Sequence, residues 1–259
     1  MLGHPIAHSL SPVLHRAAYA ELGLAWTYDA VDVPEPELAD FVATRGPDWV
    51  GLSLTMPLKY AVLPLLDETD ATVDLVGAAN TLIWRDGRRV GANTDVFGLV
   101  AALREAGVEA PAGAGVLGAG ATAASALVAL AELQCPEVVL AARRPAAAAG
   151  LVKLAERLGL TLEVVEWAEA AYALRPPLVL STVPAGGADG LVGSLPPGPG
   201  ALFDVVYAPW PTPLATAWTG AGGRVLSGLD LLVHQAVGQV RLMTGRDVDV
   251  SVLRRALKA

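Results

Sequence analysis

The stretch "VLGAGATAAS", residues 116–125, decides the fold of the second half of the chain. It joins the end of an apolar run to the start of an Ala-rich segment of helical period. The spacing Gly118-x-Gly120-x-x-Ala123 suits a tight turn, a close backbone approach and close packing of a helix on a strand. Free N–H groups at the start of that helix would face an anion such as a pyrophosphate. The stretch therefore predicts a strand, a loop and a helix that together bind a dinucleotide.

The next apolar run indicates which dinucleotide is bound. It ends in "AARRP", residues 141–145. An acidic side chain at this point would accept hydrogen bonds from a ribose 2′-hydroxyl, whereas Arg143 and Arg144 suit a 2′-phosphate. We therefore expect NADP rather than NAD. The alternative is that the two arginines are solvated charges at the end of a strand.

Short apolar runs recur along the whole chain and alternate with segments of helical period. This alternation is typical of α/β proteins with parallel sheets and crossover helices. Asp86-Gly87, within "RDGRR", predicts the turn of a hairpin. A loop rich in Gly and Ala at 106–115 marks a change of domain. The candidate strands are 25–33, 49–54, 80–84, 115–119, 137–142, 161–167, 177–182, 200–207 and 223–228.

Composition excludes several classes of protein. The 259 residues carry a formal net charge of -8, which argues against nucleic-acid binding. The only cysteine, Cys135, can form no internal disulfide, and the four histidines show no metal-ligand spacing. Residues 110–131 lack charge, but their Ala and Gly content and Pro111 favour a buried strand and helix over a membrane span. No signal peptide is recognisable at the N-terminus, so we expect a cytoplasmic protein that binds no membrane.

Polar residues follow several apolar runs of the first half. Thr55 and Lys59 lie in "SLTMPLK" (53–59), Asn80 lies in "GAANT" (77–81), and Asp95 lies in "GANTDVFG" (91–98). Ligands of open α/β sheets bind at the carboxyl ends of the strands. A Lys–Asp pair beside hydroxyls and amides suits a polyhydroxylated ring acid. Individually, these residues could instead be helix caps, a turn residue and a surface charge.

Two hydroxyls lie close to the start of the chain, in "HSLSP" (8–12). Ser11 before Pro12 has the pattern of a helix N-cap followed by proline at the first helical position. Capping explains one serine and leaves Ser9 as an ordinary loop residue. The pair raises a second interpretation, in which both hydroxyls bind a ligand.

The chain resembles the shikimate dehydrogenase family over nearly its whole length. The resemblance rests on seven stretches in the order of that family: "GHPIAHSLSP", "LTMPLK", "GAANT", "GANTDVFG", "GAGATA", "DVVYAPWPTPL" and "GLDLLVHQA". It implies two α/β domains with a cleft between them, an N-terminal substrate domain and a Rossmann-like NADP-binding domain. It also implies the reversible, NADPH-dependent reduction of 3-dehydroshikimate to shikimate by a monomer or homodimer.

The same resemblance implies roles for individual residues. Ser9 and Ser11 would hold the substrate carboxylate, and Lys59 and Asp95 would be the catalytic pair. Further substrate contacts would come from Thr55, Asn80, Tyr207 and Gln235. The NADP site would comprise Gly118, Gly120, Ala121, Arg143, Arg144, Gly228 and Leu231, and no metal is expected. Because Gln235 lies on a C-terminal helix, the substrate domain would comprise 1–96 and 229–259, and the NADP domain 97–228.

The chain departs from the pattern of the family at several positions. Ser53 replaces the usual Asn, Ala121 replaces the last Gly of the glycine loop, and Leu231 replaces the methionine near the nicotinamide. The usual Asn-Arg-Thr is Ala142-Arg143-Arg144, and the first strand is nearly absent. Two alternatives stay open: a quinate/shikimate or related cyclohexane-carboxylate dehydrogenase, and a non-catalytic NADP-binding regulator on the same fold. The presence of both Lys59 and Asp95 favours an enzyme.

Overall fold

The computed structural model describes residues 1–258. The chain divides into two compact units: the first comprises Met1–Gly98 and the chain from Leu232 onward, and the second comprises Leu99–Leu231. The chain crosses from one unit to the other within two helices, Asp95–Glu105 and Gly228–Thr244. The domain limits expected from the sequence fall inside these same two helices.

The described chain contains twelve strands and ten α-helices. The strands are β1 (Leu2–Gly3), β2 (Val31–Asp32), β3 (Gly51–Ser53), β4 (Glu68–Thr69), β5 (Thr81–Arg85), β6 (Arg88–Ala92), β7 (Ala114–Leu117), β8 (Glu137–Ala142), β9 (Thr161–Glu166), β10 (Leu178–Ser181), β11 (Ala201–Asp204) and β12 (Arg224–Ser227). The helices are α1 (Ser11–Glu21), α2 (Leu38–Ala43), α3 (Leu58–Ala61), α4 (Ala71–Val76), α5 (Asp95–Glu105), α6 (Ala121–Glu132), α7 (Ala149–Leu158), α8 (Pro213–Gly220), α9 (Gly228–Thr244) and α10 (Val250–Ala256). None of the helices within residues 1–258 is long and apolar enough to cross a membrane.

The first unit contains a mixed sheet. Its strand order is β3-β5-β6-β4, with antiparallel pairs β3–β5 and β5–β6 and a parallel pair β4–β6. The predicted hairpin turn is confirmed, because Asp86 (φ 51°) and Gly87 (φ 76°) both take positive φ between β5 and β6. The sheet of this unit is therefore mixed, with the predicted hairpin supplying one of its antiparallel pairs. Its core contains Leu52, Leu58 and Leu82, each almost wholly buried.

The start of the first unit also differs from expectation. The predicted strand 25–33 is reduced to β2, because its parallel partner β1 is only two residues long. β1 pairs only with Val31 and Asp32, so the rest of the predicted segment pairs with no strand among the described residues. Leu2 also forms a parallel bridge to Leu54. The carboxyl ends of β1 and β3 nevertheless lie side by side through this bridge.

The second unit contains six parallel strands in the order β12-β11-β10-β7-β8-β9. Numbered from β7, this is the order 3-2-1-4-5-6 of the doubly wound, Rossmann-like sheet. The uncharged stretch 110–131 supplies β7 and α6, as a buried strand and a largely buried helix. The predicted strand 200–207 ends at Asp204, whose carboxylate accepts a hydrogen bond from the backbone N–H of Val206 and so turns the chain.

Candidate active site

Lys59 and Asp95 form a buried ion pair in the first unit. Lys59 lies on α3, and Asp95 is the first residue of α5. The distance from Lys59 Nζ to Asp95 Oδ2 is 2.5 Å, and the two side chains are only 13% and 6% exposed. Because both side chains are largely shielded from solvent, each charge is stabilised mainly by the other. Removal of one partner would leave the other charge uncompensated.

The Asp95 carboxylate is held at its second oxygen as well. Asn80 Nδ2 donates to Asp95 Oδ1 over 2.8 Å, and the backbone N–H of Asp95 donates to Asn93 Oδ1 over 2.9 Å. The Asn93 amide in turn donates to the carbonyl of Ala78. The position of Asp95 at the N-terminus of α5 further favours a negative charge there. The carboxylate is therefore fixed before any ligand arrives.

The side-chain amide of Asn80 is fully engaged within the first unit. Besides Asp95, its Nδ2 donates to Thr94 Oγ1 over 2.9 Å. Its Oδ1 accepts from the backbone N–H of Thr94 over 2.9 Å and from Thr81 Oγ1 over 2.8 Å. The residue is only 2% exposed. A substrate contact by Asn80 would need to replace one of these bonds, whereas its support of Asp95 is already in place.

The serine pair does not act as the capping interpretation expects. Ser11 is the first residue of α1, the cap position belongs to Leu10, and no side chain caps the helix. Ser9 Oγ instead accepts a hydrogen bond from the backbone N–H of Ser11 over 3.3 Å. Ser11 Oγ is buried and has no hydrogen bond to any group of residues 1–258. Burial raises the pKa of the nearby Tyr28 hydroxyl, and the contact with Ser11 lowers it only to a small extent. An unsatisfied buried hydroxyl costs free energy, so a ligand oxygen would be a favourable partner.

Thr55 lies at the same edge of the first unit as the segment that follows β1. The backbone N–H of Thr55 donates to the carbonyl of Leu2 over 2.9 Å, and that of His4 donates to the carbonyl of Met56 over 3.1 Å. Gly3 permits this approach, because a Cβ there would be 2.5 Å from the Thr55 methyl carbon. The segments that follow β1 and β3 therefore run together.

Helix α9 contributes two buried glutamines to the first unit, one turn apart. Gln235 was expected from the sequence, and its Nε2 donates to the carbonyl of Leu232 over 2.8 Å. Gln239 was missed. It donates to the carbonyl of Asn80 over 3.1 Å and to Thr81 Oγ1 over 2.9 Å, and it accepts from Ser53 Oγ over 2.8 Å. The spacing of two amides by four residues on an otherwise apolar helix face could have indicated it.

In the second unit the glycine loop follows β7 and precedes α6. Gly118 has φ +105°, and a Cβ there would lie 2.7 Å from Thr182 Oγ1. A Cβ on Gly120 would meet no heavy atom within 4 Å, so the space beside the backbone is open. No side chain caps α6, which begins at Ala121, and its first N–H groups are available to an anion. These residues fit the pyrophosphate of a dinucleotide.

The other expected NADP residues also belong to the second unit. Arg143 and Arg144 follow β8 and are exposed. Packing is enough to require glycine at position 228, because a Cβ there would lie 2.0 Å from the carbonyl oxygen of Val205. Leu231 is a largely buried residue of α9. Tyr207, expected at the substrate, is half-buried in the segment after β11.

The Rossmann-like sheet, the open glycine loop and the buried Lys–Asp pair define the class of nicotinamide-dependent dehydrogenases. Residues 1–82 match the family model of the shikimate dehydrogenase substrate binding domain. Residues 228–258 match the family model of the shikimate 5′-dehydrogenase C-terminal domain. The chain is 37% identical over 270 residues to the shikimate dehydrogenase (NADP(+)) of Moorella thermoacetica, with 100% of this chain and 91% of that protein covered.

Solved structures agree with this match. The shikimate dehydrogenase of Mycobacterium tuberculosis has a TM-score of 0.91 at 44% identity, over 99% of this chain and 97% of that one. The Thermus thermophilus enzyme, in complex with NADP(H) and shikimate, has a TM-score of 0.87 at 33% identity, over 99% and 97%. The chain belongs to the shikimate dehydrogenase family.

Proposed function

We propose that this protein catalyses the reversible, NADPH-dependent reduction of 3-dehydroshikimate to shikimate. The observation that carries this proposal is the buried Lys59–Asp95 pair, held by Asn80, in a chain of the shikimate dehydrogenase family. A family match alone does not establish chemistry, because function depends on the site. Here the site retains an acid–base group and the carboxylate that fixes it.

Lys59 supplies the proton in this proposal. Bound NADPH provides the hydride that reduces the ring carbonyl, and the nicotinamide accepts it back in the reverse direction. Negative charge develops on the carbonyl oxygen, and the Lys59 ammonium stabilises that charge and donates a proton to the oxygen. In shikimate oxidation the free amine of Lys59 takes the hydroxyl proton. Asp95 keeps the nitrogen in one place in both directions.

The substrate carboxylate is held by Ser9 and Ser11 in this proposal. The unsatisfied hydroxyl of Ser11 supports this role, because a carboxylate oxygen is the kind of acceptor it lacks. Thr55, which bonds through its backbone N–H to Leu2, is proposed to contact the ring hydroxyls. Gln235 and Tyr207 are proposed as further substrate contacts, following the family pattern.

The cofactor is NADP in this proposal. The backbone at Gly118, Gly120 and Ala121 would hold the pyrophosphate, and Arg143 and Arg144 would hold the 2′-phosphate. Gly228 and Leu231 are proposed to lie near the nicotinamide. The exposure of both arginines supports this role, because each guanidinium can reach a ligand without breaking a buried contact.

The assay is nicotinamide reduction by purified protein with shikimate and NADP⁺. A panel of shikimate, quinate and other cyclohexane carboxylates, each with NADP⁺ and NAD⁺, measures substrate and cofactor preference together. We expect the highest kcat/KM with shikimate and NADP⁺. Absence of reduction with every ring acid, in a protein that still binds NADP⁺, would favour a non-catalytic regulator. A cytoplasmic location and a monomeric or homodimeric state remain predictions, and light scattering measures the second.

A further inference from the structure

We propose that Thr81 and Gln239 are positioning residues for the Lys59–Asp95 pair, a role that rests on the proposed function. Neither side chain bonds to Lys59 or Asp95. They act through Asn80, whose amide donates to Asp95. Thr81 Oγ1 donates to Asn80 Oδ1 over 2.8 Å, and Gln239 Nε2 donates to Thr81 Oγ1 over 2.9 Å. One connected set of hydrogen bonds thus runs from α9 to the carboxylate.

The orientation of the Gln239 amide follows from its neighbours. The carbonyl of Asn80 can only accept, so Gln239 must present its NH₂ group there. That carbonyl also accepts from the backbone N–H of Leu54, over 2.7 Å, which uses both of its lone pairs. Gln239 Oε1 then faces Ser53 Oγ at 2.8 Å and His15 Nε2 at 3.2 Å. All four hydrogen-bonding directions of this side chain are in use.

His15 holds the far side of Gln239. Because Gln239 Oε1 is an acceptor, His15 Nε2 must carry the proton, and Nδ1 is left to accept from the hydroxyl of Tyr19 at 3.3 Å. Burial lowers the pKa of His15 to about 3, so the ring is neutral at pH 7. Its stacking on Tyr28, with 4.0 Å between ring centroids, fixes the ring plane. A neutral, immobile donor suits a role in orientation rather than in proton transfer.

The departure at Ser53 fits the same set of bonds. Ser53 and Thr81 are opposite each other in the β3–β5 register. Tyr28 donates to Ser53 Oγ over 2.6 Å, and Ser53 donates onward to Gln239. Ser53 thereby holds the Gln239 oxygen, while the Gln239 NH₂ group holds the carbonyl of Asn80 and the hydroxyl of Thr81.

Loss of the Thr81 hydroxyl should act on the reaction rather than only on folding. In Thr81→Val the amide of Asn80 loses one of the donors to Oδ1, and Gln239 Nε2 loses an acceptor. The Asn80 amide is then less strictly oriented toward Asp95, and the Lys59 nitrogen is less firmly placed. We expect kcat to fall about tenfold, since buried groups lose partners, while the KM values for shikimate and NADP⁺ change less. Thr81→Ser keeps the hydroxyl and should retain most of the kcat.

The test is a double-mutant cycle with Thr81→Val, Gln239→Leu and the double variant, in the shikimate oxidation assay. Because both residues act through Asn80, the loss of kcat in the double variant should be clearly smaller than the product of the single losses. The pH profile of kcat should change in both single variants, since the Asn80 contact to the Asp95 carboxylate is weakened. Thr244→Val is the matched control: it removes a hydroxyl that bonds only near the end of α9, and it should leave the kcat and its pH profile unchanged.

Several results would overturn this inference. They are independent, multiplicative losses of kcat, an unchanged pH profile, or a lowered melting temperature with normal kinetics. If Thr81→Val does not fold, Gln239→Leu alone should still lower kcat more than it changes the KM values and should change the pH profile. Thr81→Ser is then the control that should retain most of the kcat. If the unmutated protein oxidises no ring acid, the proposed function itself fails, whereas activity that survives Thr81→Val and Gln239→Leu removes only the positioning role.

Discussion

The two candidate sites of this chain are built in opposite ways. In the first unit, the Lys59–Asp95 pair is surrounded by side chains that already bond to one another, as the saturated amide of Asn80 shows. In the second unit, the glycine loop offers backbone N–H groups and open space beside Gly120, and no side chain caps α6. One site is complete within the protein, and the other acquires its partners from a ligand.

Substitutions at the two sites should therefore change different properties of the protein. A buried network transmits a change, because a lost partner leaves another buried group unsatisfied. A loop built from backbone transmits little, and a change there should alter ligand affinity alone. The predictions below test this contrast by comparing effects on kcat, KM and stability.

The largest effect on stability is expected from Asp95→Asn. The substitution leaves the buried Lys59 ammonium without a counter-charge, and breaking a buried pair in this way costs about 3 kcal/mol or more of the free energy of unfolding. We expect kcat to fall and the KM for shikimate to rise together. Denaturant unfolding and steady-state kinetics measure both effects, with the exposed Asp48→Asn as control. Normal stability with altered kinetics would mean that the pair does not support the folded first unit.

The serine loop should show a binding effect. Ser9→Ala and Ser11→Ala should each raise the KM for shikimate about tenfold or more and change kcat less, because a hydrogen bond to a charged group is lost. Ser11→Ala should also keep or raise the melting temperature, since its buried hydroxyl has no partner among residues 1–258. If both variants bind shikimate normally and only unfold more easily, the serines have a structural role alone.

The two arginines should affect only the cofactor. Replacing both Arg143 and Arg144 by alanine should raise the KM for NADP⁺ about tenfold or more, because two charge-assisted contacts to a phosphate are lost. The KM for NAD⁺, kcat and the melting temperature should change little. Raised salt should weaken NADP⁺ binding in the unmutated protein more than in the double variant. Equal kcat/KM for NADP⁺ and NAD⁺ in the unmutated protein would contradict this assignment.

The smallest effect at neutral pH concerns His15. Its pKa is lowered from 6.5 to about 3 by burial. The unfolded chain therefore binds a proton that the folded chain does not, and the contribution of His15 to stability is complete above pH 6.5 and falls as the pH decreases toward 3. The ring resonances of His15 should show no titration from pH 8 to about pH 5 in an NMR experiment. Titration near pH 6.5 would mean that the ring is hydrated and does not hold Gln239.

Local patterns were enough to predict most of the second unit. Its strands β8 and β9, its glycine loop and the α6 start depend on apolar runs and on glycine spacing within a few residues. The Asp86-Gly87 hairpin was predicted for the same reason. The segment 25–33 was predicted too long, because the length of a strand depends on its partner, here the two-residue β1.

The first-unit site was predicted in part. Lys59, Asn80 and Asp95 were expected near one another, and Lys59 and Asn80 each donate a hydrogen bond to Asp95. Thr81 and Gln239 were missed, because their contact joins residues 158 positions apart, and the four-residue spacing of Gln235 and Gln239 indicates a shared helix face but not the partner. The capping interpretation of Ser11 was wrong, because α1 begins one residue earlier than a Ser11 cap requires. Local spacing cannot determine which hydroxyl a helix start leaves unsatisfied.

Steady-state kinetics of Lys59→Ala, measured beside the NADP⁺ affinity of the same variant, test directly whether Lys59, held by Asp95, carries the proton in the reaction. We expect kcat for shikimate oxidation to fall about a hundredfold or more, the range of general acid–base catalysis, with a smaller change in KM and unchanged NADP⁺ affinity. The control is Lys153→Ala, an exposed lysine of α7, which should keep full activity. A Lys59→Ala variant that retains both its NADP⁺ affinity and most of its kcat would show that the proton comes from another group, and the account would be wrong.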